Sequence, residues 1–420
     1  MKRVALFASA FHPSLGGVEE AVWQLATHLE RRGVESLVVT NRWPRSLPAE
    51  ECVRGVRVRR YRFRFPWGGI RARLGFRWLR EGALRELCGD LVRFGAQLIH
   101  VQCVSANGWY AMQTAHRMAL PLVVTSQGER VMDASRVYEN APVFNRVLRA
   151  CLESAHAVTA CSESTLRDLE GYFGGGFGDR GSVIYNGIGE EAFAAGPGWP
   201  HPRPYLLALG RLVPQKGFGP LLRAYRAAWP GDSPVDVLLA GEGPEWDELH
   251  RLREECRLGK QVHFVGRANR REVGELIRGA VGVVVPSLYE PMGIVALEAM
   301  AAGKPLLVSS VGGLREIAPG GDGVRMVEVG DGESLAAGLQ WMARCRGQSF
   351  SRNRRAAERF RWSAITAQYL EVYRQAAGRR AGEASPREGE MQGALGEAAA
   401  SGSCSEEAEQ EGVREVGVIR

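Results

Sequence analysis

A chain of 420 residues is long for one domain, and 45% hydrophobic with 24% charged residues is the composition of an ordinary globular protein, so two domains are expected. No apolar run approaches the roughly 20 residues that a bilayer-spanning helix needs, and the start MKRVALFASAFHP, broken early by His-Pro, reads as a first buried strand rather than a secretory signal. The eight cysteines form no C-x-x-C pair, which argues against a zinc ribbon or a disulfide framework and fits a reducing, cytoplasmic setting.

Charge is uneven along the chain. Residues 381–420 hold nine Glu against three Arg, no aromatic residue and many Gly, Ala and Ser, a composition that predicts a disordered acidic tail. The tail carries −6 of a total of +7, leaving +13 on the body. The densest stretch, Arg54–Arg80, has ten Arg, six aromatics and no acid. It reads as a hairpin that seeks anions, with an anionic membrane surface as a candidate partner and a solvated face as the bland alternative.

In chain order, β-branched runs alternate with helical periods, the pattern of parallel sheets with crossover helices. Strands are predicted near Val4–Ala8, Ser36–Thr40, Gln97–Val101, Leu122–Thr125, Ala157–Ala160 and Ser182–Tyr185. After the break AAGPGWPHPRP come Tyr205–Leu209, Val235–Ala240, Val262–Val265, Val281–Val285 and Pro305–Ser309. The expected class is α/β, two doubly wound Rossmann-like domains over residues 1–197 and 198–362. Ligands of such sheets bind beyond the carboxyl ends of the strands, so the loops there carry the candidates.

Behind the first strand, FHPSLGGVEEAV places Gly16 and Gly17 at the start of a helix, either an anion-binding turn or a turn that only lets the helix pack. In LGRLVPQKG, Arg211 and Lys216 flank a turn ahead of a helix, where two cations either bind a diphosphate or are simply solvated. LLAGEGPEW has Gly241 and Gly243 behind a strand, but Trp246 stands where a dinucleotide fingerprint needs its third glycine, so the pair is a tight turn with or without a ligand beside it. In SLYEPMGIVALEAMAAGKP, Glu290 belongs to a loop and Glu298 to the helix that starts near Gly293. Two acids in so apolar a segment are costly unless a hydroxyl-rich ligand satisfies them.

GRLVPQKG, AGEGPE, VHFVG and above all YEPMGIVALEAMAAGKPLLVSSVGGLREI resemble the retaining, nucleotide-sugar-dependent glycosyltransferases of family four, the group 1 glycosyltransferases, over about Met1–Tyr373. The resemblance implies a GT-B fold in which the two domains face across a cleft, the second binds the nucleotide sugar, the first contacts the acceptor, and a last helix, about 363–376, packs back on the first. Carried onto matching positions, it implies that Arg211 and Lys216 hold the donor diphosphate and Glu298 the ribose. Glu290, with the main chain at Met292, Gly293 and Ile294, holds the donor sugar, while Gly16 and Gly17 close over the phosphates. Gln127 in VVTSQGE stands where the family frequently has His, and an amide cannot act as a titrating base. His12, Gln127 and Asn186 are the acceptor and sugar-side candidates.

No D-x-D motif lies in a donor loop, so no metal and no cofactor are expected, the nucleotide-diphosphate sugar being a substrate. The implied activity is transfer of a hexose-type sugar to a glycan, lipid-linked or small-molecule acceptor, with no nucleic-acid partner, in the cytoplasm or at the inner membrane face. An epimerase-like enzyme of nucleotide sugars or a non-catalytic sugar-nucleotide binder are the alternatives.

Overall fold

The computed structural model describes residues 1–14, 16–63, 70–131, 138, 142–318 and 320–379, with the side chains of 70–79 outside the description. The acidic tail lies outside the described residues. The chain divides into two units, one formed by Met1–Cys161, Thr165–Ile184 and the chain from Thr366 on, the other by Ser162–Ser164 and Tyr185–Ile365.

The first unit holds β1 (Arg3–Ala8), β2 (Glu35–Asn41), β3 (Glu50–Val53), β4 (Val56–Tyr61), β5 (Ile99–Gln102), β6 (Leu122–Ser126), β7 (Ala157–Ala160) and β8 (Gly181–Val183). They form one sheet in the order β3-β4-β2-β1-β5-β6-β7-β8, parallel except for β3 against β4. Helices α1 (Gly17–Arg31), α2 (Ile70–Phe94), α3 (Ala106–Met118), α4 (Pro142–Ser154) and α5 (Glu163–Phe173) connect them. The central strands are buried along their whole length, as β-branched runs covered on both faces must be. Their core includes Phe7, Val101, Trp109, Val124, Leu148 and Val158.

The second unit holds β9 (Tyr205–Leu209), β10 (Asp236–Ala240), β11 (Val262–Gly266), β12 (Gly282–Val285), β13 (Leu306–Ser309) and β14 (Val324–Val327), all parallel, in the order β11-β10-β9-β12-β13-β14. Its helices are α6 (Phe218–Ala228), α7 (Trp246–Glu255), α8 (Arg270–Gly279), α9 (Ile294–Ala301), α10 (Leu314–Ile317), α11 (Gly332–Arg344) and α12 (Ser351–Ala357). The final helix α13 (Trp362–Gly378) starts in the second unit and runs on in the first. There Tyr373, fully buried, places its hydroxyl 2.7 Å from His100 Nδ1.

The predicted strands are present within two residues at each end, and two features differ. Residues 185–197, placed with the first domain by the Gly/Pro break, belong to the second unit, because Ile188 donates its N–H to Phe360 O at 2.8 Å and Gly187 lies against the Trp362 ring. The hairpin covers only Glu50–Tyr61, turning at Arg54-Gly55, and α2 follows it.

The arginines of that hairpin are not a free cationic face. Arg57 Nη2 lies 2.7 Å from Glu35, Arg59 Nε 2.8 Å from Asp90, and Arg60 pairs with Glu51 while donating to His12 O at 2.6 Å. Arg54 stacks 3.7 Å over Trp23 and faces Glu20 at 3.9 Å. The acids come from elements outside the segment, so counting within it overstated its charge. Arg62 is exposed; the side chains of 64–79, on which an anion-seeking patch then depends, lie outside the described residues. Among the described residues no helix is long and apolar enough to cross a membrane.

Candidate active site

In the second unit the loops behind β9, β10, β12 and β13 pack on one another through their main chains, which is why they are rich in glycine. A Cβ on Gly241 (φ 144°) would lie 1.9 Å from Gly210 O, and one on Gly243 2.3 Å from Leu212 O. Leu212 N donates to Glu242 O at 2.9 Å and Glu245 N to Leu212 O at 3.0 Å. The two glycines are therefore required by loop-on-loop contact. Gly217 (φ 68°) fits likewise against Pro286 O, where a Cβ would lie at 2.1 Å. That contact brings the loop carrying Lys216 onto the loop carrying Glu290.

Lys216 Nζ donates to Glu290 Oε2 at 2.6 Å, and Ser287 Oγ donates to the same oxygen at 3.0 Å. The Glu290 side chain is 9% exposed and that of Lys216 19%. An ammonium and a carboxylate are thus held together, mostly out of water, at the carboxyl edge of the sheet. The loop behind β13 closes over them: Gly313 N donates to Glu290 O at 3.0 Å, and a Cβ on Gly312 would lie 2.2 Å from that oxygen.

Gly293, at φ 93°, is the N-cap of α9, and a Cβ there would lie 2.4 Å from Leu314 Cδ2. Only glycine meets both demands. It leads into Ile294 at the start of α9, with Met292 buried beside it. Glu298 lies one turn further, 3% exposed, and forms an ion pair with Arg270 at the start of α8. Arg270 also donates from Nε to Glu191 Oε1 at 2.9 Å. A surface role for Glu298 is excluded by that burial. Arg270 had no motif to mark it in the sequence; its position in the first turn of a capped helix comes from Asn269, whose side chain accepts from the amides of Arg271 and Glu272.

Arg211 is exposed and has no ion pair or side-chain hydrogen bond to another described residue, so it does not share the Lys216–Glu290 couple. Asn186 is buried in this same unit. Among the described residues no His/Cys/carboxylate cluster of metal-binding spacing lies at these loops.

In the first unit His12 is 8% exposed, and burial lowers its pKa. Gly16 caps α1 without a side-chain hydrogen bond, and Glu19 folds back against it: a Cβ at 16 would lie 2.5 Å from Glu19 Oε2, and Ser14 Oγ holds the other oxygen at 3.1 Å. An anion at Gly16-Gly17 has to displace that carboxylate. Gln127 Nε2 donates to Gln102 Oε1 at 2.8 Å, and Gln102 Nε2 lies 3.3 Å from His100 Nε2. Its own N–H and those of its neighbourhood converge on a residue the sequence did not single out, Glu129, whose carboxylate accepts from Gln127 N, Val104 N and Ser126 Oγ at 2.8, 3.1 and 2.8 Å. Burial raises the pKa of that carboxyl.

Two Rossmann-like units of parallel sheet, the second with a buried acid pair at its carboxyl edge, are the GT-B architecture of glycosyltransferases. The chain matches the family Glycosyltransferase Family 4 over residues 15–191 and Glycosyl transferases group 1 over 190–360. It belongs to the group 1 glycosyltransferases. A D-inositol 3-phosphate glycosyltransferase of Kineococcus radiotolerans is 30% identical over 92% of this chain and 99% of its own. A sucrose-phosphate synthase structure from Thermosynechococcus elongatus superposes with a TM-score of 0.70 at 24% identity, covering 89% of this chain and 99% of that one. Anabaena HepE in complex with UDP and glucose gives 0.67 at 20% identity over 88% and 98%.

Proposed function

We propose that this glycosyltransferase moves a hexose-type sugar from a nucleotide-diphosphate donor to a glycan, lipid-linked or small-molecule acceptor with retention of configuration and without a catalytic metal. The observation that carries the reading is the buried Lys216–Glu290 couple beside the Gly293 turn. Lys216 and the unpaired Arg211 meet the donor diphosphate, and their charges gain most as the bond from the anomeric carbon to the bridging oxygen breaks and negative charge grows on the leaving group. Glu290, its main chain fixed by Gly313, accepts from the hydroxyls of the donor sugar; Glu298 accepts from those of the ribose. The names of the relatives support this chemistry: one acts on an inositol phosphate, and one structural neighbour holds UDP and glucose.

Acceptor recognition falls to His12 and Gln127 of the first unit. Gln127 orients a hydroxyl but takes no proton. The proton of the attacking hydroxyl passes to a phosphate oxygen of the departing diphosphate, on the same face of the sugar as the broken bond, which is what gives retention. The test is nucleotide release from UDP-, ADP- and GDP-sugars with inositol phosphate, sugar phosphate and lipid acceptors in the panel. Acceptor-dependent release from at least one donor is expected; none across the panel, with no donor binding, refutes the reading.

A further inference from the structure

At the amino edge of the second sheet three side chains converge that no donor-site argument uses. Asp236 is the first residue of β10 and 1% exposed. His201, four residues ahead of β9, places Nε2 2.8 Å from Asp236 Oδ2, and His263 of β11 places its Nε2 3.5 Å from the same oxygen. All three atoms lie within 4.8 Å of one another. The topology builds this: β10 lies between β9 and β11, and Leu238, on the same face as Asp236, pairs in register with His263.

We propose that His201, Asp236 and His263 form a binding site for a divalent cation of the zinc class, a structural clamp across β9, β10 and β11. A hydrogen bond between His201 and Asp236 alone leaves one thing unexplained. Asp236 Oδ1 has Arg203 Nη1 3.3 Å away, but His263 Nε2 is shielded from water and makes no hydrogen bond. Buried polar atoms without partners are costly. A cation on Oδ2 and the two imidazole nitrogens satisfies His263 and neutralises the carboxylate, while Arg203 steadies the other oxygen.

The geometry suits it. Ligands about 2.1 Å from one tetrahedral ion lie roughly 3.4 Å apart, and the 2.8 and 3.5 Å separations straddle that figure. The 3.5 Å separation to His263 already meets it, and the 2.8 Å contact between His201 and Asp236 has to open by about 0.6 Å to admit the ion. Two imidazoles with one carboxylate favour zinc or a neighbouring first-row ion over magnesium or calcium.

Each of the strands β9, β10 and β11 is five residues long, so the cluster stands about 16 Å from the loops that follow them. A clamp there stiffens the sheet without entering the chemistry, and its test needs no turnover. The full chain, freed of metal by a chelator and dialysed, is titrated with zinc chloride in a calorimeter, alongside His263→Ala and His201→Ala. One site is expected in the parent, weakened at least about 100-fold in either variant, with a zinc-dependent rise in melting temperature confined to the parent. His263→Ala, at the exposed side, keeps the test informative should His201→Ala fold poorly. No binding by the parent overturns the proposal, and so does an equally tight site in both variants, which places the ion on other groups such as the free cysteines.

Discussion

Lys216→Ala separates the two jobs assigned to that lysine. Without the ammonium, Glu290 keeps Ser287 Oγ at 3.0 Å and a 9% exposed side chain, so a charge is left nearly sealed in protein. Stranding one partner of a fully buried pair costs about 3–5 kcal/mol. Lys216 is 19% exposed, and water entering along its vacated path recovers part of this, so about 2–3 kcal/mol of lost stability is expected. Adding Glu290→Gln removes the stranded charge and returns most of that loss. The loss of catalysis is not returned: kcat stays down by roughly 10²-fold or more in both the single and the double variant, because the partner of the departing diphosphate is gone. Urea denaturation followed by circular dichroism reads the first effect and steady-state kinetics at saturating donor the second. A Lys216→Ala protein within about 0.5 kcal/mol of the parent and with parental kcat refutes both roles.

Glu298→Gln is expected mainly to raise the donor KM with kcat nearly kept, since contacts to ribose change little as the bond breaks; a kcat loss with parental KM contradicts it. Arg270→Ala leaves the 3% exposed Glu298 without its ion pair, and a lower melting temperature together with weaker donor binding checks that coupling. Gly293→Ala combines a φ of 93° with a Cβ 2.4 Å from Leu314, and should cost more than the roughly 1–2 kcal/mol of the backbone strain alone, measured by urea denaturation. Burial pushes the His100 pKa from 6.5 down to about 3, so between those values the unfolded chain takes up a proton that the folded chain refuses. The stability is therefore complete above pH 6.5 and falls as pH drops through that window, by about 1.4 kcal/mol per unit from this group. His100→Gln should show a shallower fall between pH 6.5 and 5, and an unchanged slope excludes His100 as its source.

What was legible in the sequence was what repeats locally. β12 and the turn into α9 follow from GVVVP and Gly293, and the placement of Glu290 and Lys216 in loops at the carboxyl edge followed from where strands end in such sheets, while the ion pair between them had no sequence signal. What was not legible depends on partners far along the chain. The arginines at 57, 59 and 60 looked unopposed because Glu35, Asp90 and Glu51 lie outside their segment or on the other strand of its hairpin. β14, four residues of VRMV, is too short to show a period. Gly241 and Gly243 read as a tight turn with or without a ligand, and the contact that requires them, with the main chain of 210–212, comes from about 30 residues upstream. Arg270 and Glu298 stand 28 residues apart, and His201 and Asp236 35, so no local pattern marks either pair.

The central claim, transfer from a nucleotide-diphosphate sugar through a same-face displacement, is tested most directly by proton NMR of the anomeric centre during turnover. With the donor and acceptor found in the panel, and no added divalent metal, the first-formed product should carry the donor's anomeric configuration while free nucleoside diphosphate appears in equal amount. A product of inverted configuration, or sugar transfer that starts only when magnesium or manganese is supplied, contradicts the account.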